Sequence, residues 1–201
     1  MIPILILAAG ASTRMRGADK LLQDVDGQPL LRRQAKMALQ VSEDVRIALP
    51  PRPHARYDII ADLPVRMLEV ATAAEGMSAS LRTCFASLGP DVRHAMVLLA
   101  DLPDISTDDL SQVIQASRSA PDALIWRGAT ADGTGGHPML VSRALFRDFQ
   151  TLSRDAGGQS IVKTAGTRVH LVPFSDGRAR LDLDTPEQWA AWRRAKSLSL
   201  P

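Results

Sequence analysis

Apolar runs of strand length alternate with stretches of helical period along the chain, and turn-forming residues stand between them. Residues 3–8 form a continuous apolar run, the pattern of a central strand covered on both faces. A helix is expected over 30–41, because Leu31, Ala35, Ala38 and Leu39 fall on one face. Residues 46–49 read as a strand stopped by Pro50 and Pro51, residues 54–62 as a short helix, and 65–69 as a third strand. Ser78 is expected to cap a helix carrying Leu81, Cys84, Phe85 and Leu88 at spacings of three and four.

Residues 95–100 are the clearest buried strand after the first, and Asp101 ends them. Ser106 and Asp109 have the spacing of a capping box for the next helix. Residues 123–126 read as a strand, 127–137 as a glycine-rich loop and 138–141 as a short strand before a helix capped by Ser142. A further helix is expected after Gly157 and Gly158, and a strand over 169–173. Thr185, Pro186 and Gln188 supply the cap, the first-turn proline and the box partner of a final helix.

Such alternation without repeats or linker-like tracts predicts one domain over 1–201. The expected class is a three-layer αβα, Rossmann-like α/β fold with a mostly parallel sheet. Ligands of such sheets bind beyond the carboxyl ends of the strands, so the loops after Ala8, Leu49, Glu69 and Ala100 are expected to hold the site.

Composition narrows the partners. Of the 201 residues, 45% are hydrophobic and 23% charged, with a net charge of +2, which suits an ordinary globular chain and gives no general attraction to nucleic acid. One Tyr, four Phe and no basic helix argue further against a nucleic-acid surface. No run approaches the length of a membrane span. The apolar opening lacks a basic leader and passes directly into a charged loop, so a buried strand and a cytoplasmic protein are expected. A single cysteine, Cys84, excludes an internal disulfide and a cysteine-rich zinc site.

The chemistry concentrates in LAAGASTRMRGADKLL, residues 7–22. Leu7, Ala8, Ala9 and Gly10 leave the first strand with side chains small enough for a base or phosphate to approach the backbone. Arg14, Arg16 and Lys20 then place three cations within seven positions, suited to an oligophosphate. Neither GxxxxGK[ST] nor GxGxxG is present, so the loop is no Walker A motif and no dinucleotide fingerprint.

LAAGxSxRM followed by Lys20, Leu21 and Leu22 resembles the molybdenum cofactor nucleotidyltransferases, and within them the cytidylyltransferase branch. EGMSASL at 75–81, GHPML at 136–140 and LDLDTPEQW at 181–189 extend the resemblance over nearly the whole chain. It implies transfer of a nucleoside monophosphate from an NTP to a molybdopterin-type phosphorylated acceptor, with release of pyrophosphate and hand-over to a molybdoenzyme. Ala9 matches the LAAG form associated with CTP, whereas LAGG goes with guanylyl transfer. Guanylyl transfer, a sugar-phosphate acceptor and a non-catalytic cofactor-binding chaperone are the rival readings.

The resemblance also implies roles for single residues. Lys20 and Arg14 would stabilise charge on the phosphates, and Pro50, Gly76, Ser78 and Ser80 would line the base and ribose. Asp101 would hold Mg²⁺, as a triphosphate site requires. An extended 181–184 would present Asp182 and Asp184 on one face, where either could complete the metal site; a half-exposed edge strand is the competing reading. Gly136 and His137 would line the acceptor side.

Overall fold

The computed structural model describes residues 1–153 and 157–198. Strand β1 (Ile4–Leu7) leads through two 3-10 turns, Thr13–Met15 and Lys20–Leu22, to a small hairpin, β2 (Asp24–Val25) and β3 (Gln28–Pro29). Helix α1 (Leu30–Leu39), β4 (Val45–Leu49), the one-turn α2 (Ala55–Asp58) and β5 (Arg66–Glu69) follow. A turn at Ala73–Glu75 runs into α3 (Met77–Ala86), then β6 (His94–Leu99) and α4 (Thr107–Ser119). The remainder is β7 (Ile125–Ala129), β8 (Gly135–Ser142), α5 (Phe146–Gln150), α6 (Gln159–Ala165), β9 (Val169–Pro173), a turn at Arg178–Arg180 and α7 (Pro186–Leu198).

Seven strands form one sheet in the order β5-β4-β1-β6-β8-β7-β9. All neighbours are parallel except β8, which runs antiparallel to both β6 and β7. Helices cover both faces, as the uninterrupted apolar run of β1 requires. Ile4 and Ile6 enter the core shared with α1, α4 and α7, while Leu5 enters the core shared with α3, α5 and α6. All three are fully buried, and each such aliphatic side chain contributes about 1.5–3 kcal/mol.

Helix ends follow the capping chemistry of the sequence. Ser106 Oγ accepts from the Asp109 amide at 3.3 Å and Asp109 Oδ2 accepts from the Ser106 amide at 2.9 Å. At the start of α7, Thr185 Oγ1 accepts from the Gln188 amide at 3.2 Å, and Gln188 Oε1 accepts from the amides of Asp184 and Thr185 at 2.7 and 3.0 Å.

Four local expectations need correction. Residues 127–137 are not a loop: β7 and β8 run into them, leaving 130–134 as the connection. The glycines there permit close approach, since a Cβ on Gly128 would meet the Phe174 ring at 2.7 Å and one on Gly136 would meet the Ala179 carbonyl at 2.1 Å. Ser78 is not the cap of α3; Gly76, at φ 86°, turns the chain earlier, so Ser78 lies inside the first turn, 2% exposed. Residues 181–184 form no strand: Leu183 is buried, but Leu181 is 41% exposed. The helix expected over 54–62 is only the single turn α2.

Candidate active site

The loops at the carboxyl ends of β1 and β6 and the segment before α7 converge on one cluster. Lys20 opens a 3-10 turn whose cap is Asp19, accepting from the Leu21 amide at 2.9 Å, and buried Leu21 anchors that turn in the core. The Lys20 ammonium therefore reaches inward and bridges two carboxylates, Asp101 Oδ2 at 2.5 Å and Asp184 Oδ1 at 2.6 Å. Asp101 stands just past β6, and its carbonyl accepts from the Leu183 amide at 3.2 Å, which ties the 181–184 segment to the strand end. Arg14 Nη2 pairs with the other oxygen of Asp184 at 2.6 Å, although its own side chain is 69% exposed.

Charge within the cluster is interdependent. Burial opposes the charge on Lys20, but the Asp101 and Asp184 carboxylates outweigh it and raise its pKa. Burial likewise disfavours ionised Asp184, and the bond and charge of Lys20 outweigh it, so its pKa is lowered. Asp182 goes the other way: burial, a hydrogen bond to Asp184 and the charge of Asp101 raise its pKa. Among the described residues no three His, Cys, Asp or Glu are arranged to hold a metal ion. Asp101 and Asp184 turn instead to Lys20. One oxygen would suit a bound cation, however: Asp101 Oδ1 is buried without a hydrogen-bond partner.

The loop after β1 is held by a residue that the sequence did not reveal. Arg56, in α2 and 1% exposed, donates from Nη1 to the carbonyls of Ala8 at 2.6 Å and Gly10 at 2.8 Å. Its Nε and Nη2 fork onto Asp19 at 2.7 Å each, and Nη2 also reaches Ser12 Oγ at 3.1 Å. Burial opposes ionisation of Asp19, but the fork outweighs it and lowers its pKa. No local motif marks Arg56; its role depends on contacts 37 to 48 positions away in the chain.

A cleft with two lobes opens over this cluster. The smaller, about 400 Å³, is lined by Leu7, Ala8, Ala9, Gly10, Arg14 and Lys20 from the first loop, Gly76 and Ser80 from the start of α3, and Asp101, Asp182 and Asp184. The larger, about 580 Å³, is lined by Gly136 and His137 and shares Leu7 and Asp182 with the first. Two expected residues do not line it. Pro50 faces α2, where its carbonyl accepts from Tyr57 Oη at 2.9 Å, and Ser78 lies on the buried side of α3 while Met77 and Ser80 line the cleft. His137 is kept neutral, pushed down to about 4 by burial and by the nearby charge of Arg127.

A Rossmann-like sheet with a small-residue loop, a lysine and strand-end carboxylates at one cleft defines a nucleotidyltransferase. Residues 4–170 match the model of the MobA-like NTP transferase domain, and the chain belongs to that family. The family assignment drawn from the LAAG motif is thereby borne out. The chain is 29% identical over 196 residues to a Synechococcus elongatus protein named "probable molybdenum cofactor guanylyltransferase", covering 93% of this chain and 95% of that one. The crystal structure of Rv0371c from Mycobacterium tuberculosis H37Rv superposes with a TM-score of 0.80 at 28% identity, over 98% of this chain and 97% of that one. A complex of the same protein with manganese gives 0.75 at 25% identity, over 94% and 96%. Among the described residues no helix is long and apolar enough to cross a membrane.

Proposed function

We propose that this nucleotidyltransferase moves CMP from CTP to the phosphate of a molybdopterin-type acceptor and releases pyrophosphate. The observation that carries the reading is the Lys20 ammonium, set between Asp101 and Asp184 at the mouth of the β1 loop. An acceptor phosphate oxygen forms the new bond to the α-phosphorus, the bond from that phosphorus to the β-bridging oxygen breaks, and pyrophosphate leaves with the electron pair. The acceptor is already ionised, so the reaction needs no general base, and neutral His137 need not serve as one.

Lys20 and Arg14 would place positive charge where the phosphates gain negative charge, the usual way proteins assist phosphoryl transfer. The amides after Ala8 would face the nucleotide in a loop held by Arg56. A divalent ion, Mg²⁺ in this proposal, would be held by Asp101 with Asp182 or Asp184 and would supply charge neutralisation between the phosphates. The unpartnered Asp101 Oδ1 fits that group, as does the manganese complex of Rv0371C. Delivery of the product to a molybdoenzyme belongs to the same proposal.

Ala9 favours CTP. Its side chain is 5% exposed and stands in the wall of the smaller lobe, where the glycine of an LAGG loop would leave more room for a purine. The name of the Synechococcus relative favours GTP as a second reading. Thermal unfolding with CTP, GTP, ATP and UTP, with and without Mg²⁺, separates the two. Stabilisation by CTP alone, about 2.7 kcal/mol with ligand at about a hundredfold its Kd, is the expected result. Selective stabilisation by GTP would replace CMP with GMP, and no response to any nucleotide would remove the transfer reading.

A further inference from the structure

The larger lobe carries two arginines that, among the described residues, form no ion pair, although Asp182 lines the same lobe. Arg127 sits mid-strand in β7 and is 6% exposed. Its Nε donates to the Gly136 carbonyl at 3.0 Å, and among the described residues it has no carboxylate partner. Arg180, from the turn before the 181–184 segment, lines the same lobe, also without a carboxylate among the described residues. Burial and the neighbouring Arg180 charge together lower the pKa of Arg127, so the two guanidiniums sense each other.

Arg180 is exposed, but Arg127 stands apart from the other buried and half-buried arginines. Arg32, Arg33, Arg46, Arg56, Arg82 and Arg178 each pair with an Asp or Glu carboxylate. An uncompensated buried cation beside a second cation is costly to fold and is repaid only when an anion arrives.

The local sequence makes room for both side chains. A Cβ on Gly135 would lie 3.0 Å from Arg127 Nε and 3.1 Å from its Cζ, and one on Gly136 would lie 2.8 Å from Arg180 Cγ. The paired glycines before His137 therefore seat two arginines at the wall of the lobe. Planar guanidiniums match the oxygens of a phosphate in paired, charge-assisted bonds, which a single ammonium cannot do.

We propose that Arg127 and Arg180 form an oxyanion seat for the acceptor, so that this cleft selects a phosphate monoester and rejects acceptors offering only a neutral hydroxyl. The seat's use in catalysis rests on the transfer reaction proposed above. Its existence as an anion site does not.

Two measurements test it and keep those claims apart. In the first, inorganic phosphate is titrated into the protein saturated with Mg²⁺ and its nucleotide, and the His137 ring resonances are followed by NMR. Saturable shifts in the wild type that vanish in Arg180→Gln support the seat. No shift, or equal shifts in both proteins, overturns it. In the second, acceptor KM is measured for Arg180→Gln and Arg127→Lys, with circular dichroism confirming the fold. The seat predicts a rise of about tenfold to a hundredfold for Arg180→Gln, the scale of a hydrogen bond to a charged group, with the nucleotide KM unchanged. An unchanged acceptor KM overturns the catalytic use. Phosphate binding that depends on Arg180, in an enzyme that turns over no molybdopterin with any nucleotide, would instead sink the acceptor reading and leave the seat standing.

Discussion

Replacing Arg56 with Met keeps most of the side-chain length but removes the hydrogen bonds by which Arg56 ties α2 to the β1 loop. The structure loses a two-armed bond to Asp19, with both arms at 2.7 Å, and donors to the Ala8 and Gly10 carbonyls. Because Arg56 is 1% exposed and the Asp19 side chain 15%, water cannot readily replace the lost partner. Breaking a buried pair from one side costs about 3–5 kcal/mol. At about 2–4 °C per kcal/mol for a chain of this size, the melting temperature should fall by about 6–20 °C.

Urea unfolding followed by circular dichroism measures the loss directly, and nucleotide-induced stabilisation should weaken with it because the loop is released. The fork also gives the difference a pH signature. The folded-state pKa of Asp19 is lowered, so its contribution is complete above the unfolded value near 3.8 and disappears as pH falls through the lower folded value. The gap between wild type and variant should therefore be constant at neutral pH and close in strong acid. A loss below about 1 kcal/mol, the range of ordinary surface ion pairs, with unchanged nucleotide binding, would refute the view that Arg56 holds the loop.

Lys20→Ala should lower the rate by about two to three orders of magnitude, the scale for one electrostatic contact to a transition state; pyrophosphate release checks this, and a wild-type rate would remove Lys20 from the chemistry. His137 titrates near 4 when folded and near 6.5 when unfolded, so stability should decline as pH falls from about 6.5 towards 4. His137→Gln should flatten that decline in urea titrations, and an unchanged slope would contradict the assignment. Burial pushes the Cys84 thiol up to about 12, so a thiol reagent should leave the native protein untouched and modify one equivalent in urea. Rapid modification of the native protein would show that α3 does not bury this residue as described.

Much of the fold was legible because its signals are local. The apolar run of β1, the capping boxes at Ser106 and Thr185, and the position of Asp101 after a buried strand all depend on neighbours within a few residues. The hairpin β2–β3 was legible too but not read: Asp26 and Gly27, at φ 55° and 80°, are the two-residue turn that such a pair favours. What could not be read depends on distant packing. Gly128, Gly135 and Gly136 look like loop residues in sequence, yet each stands in the sheet where a ring, a guanidinium or a carbonyl comes too close for a Cβ. Arg56 looks like any surface arginine until α2 folds back over the β1 loop.

The cleft's electrostatics join these long-range features into one pattern. In the smaller lobe Asp101, Asp182 and Asp184 outnumber the two cations that meet them, Lys20 and Arg14, and burial together with that imbalance raises the pKa of Asp182. In the larger lobe the imbalance reverses, with Arg127 and Arg180 beside Asp182 alone and in no ion pair among the described residues. Packing alone would have paired the two surpluses, since Asp182 lines both lobes and lies on the same short segment as Arg180. Leaving Arg127 buried without a carboxylate costs folding energy that a bound anion would return. A cation would suit the carboxylate-rich lobe and an anion the arginines, and the proposed transfer from a metal-bound triphosphate to a phosphorylated acceptor would use that order of charge along the cleft.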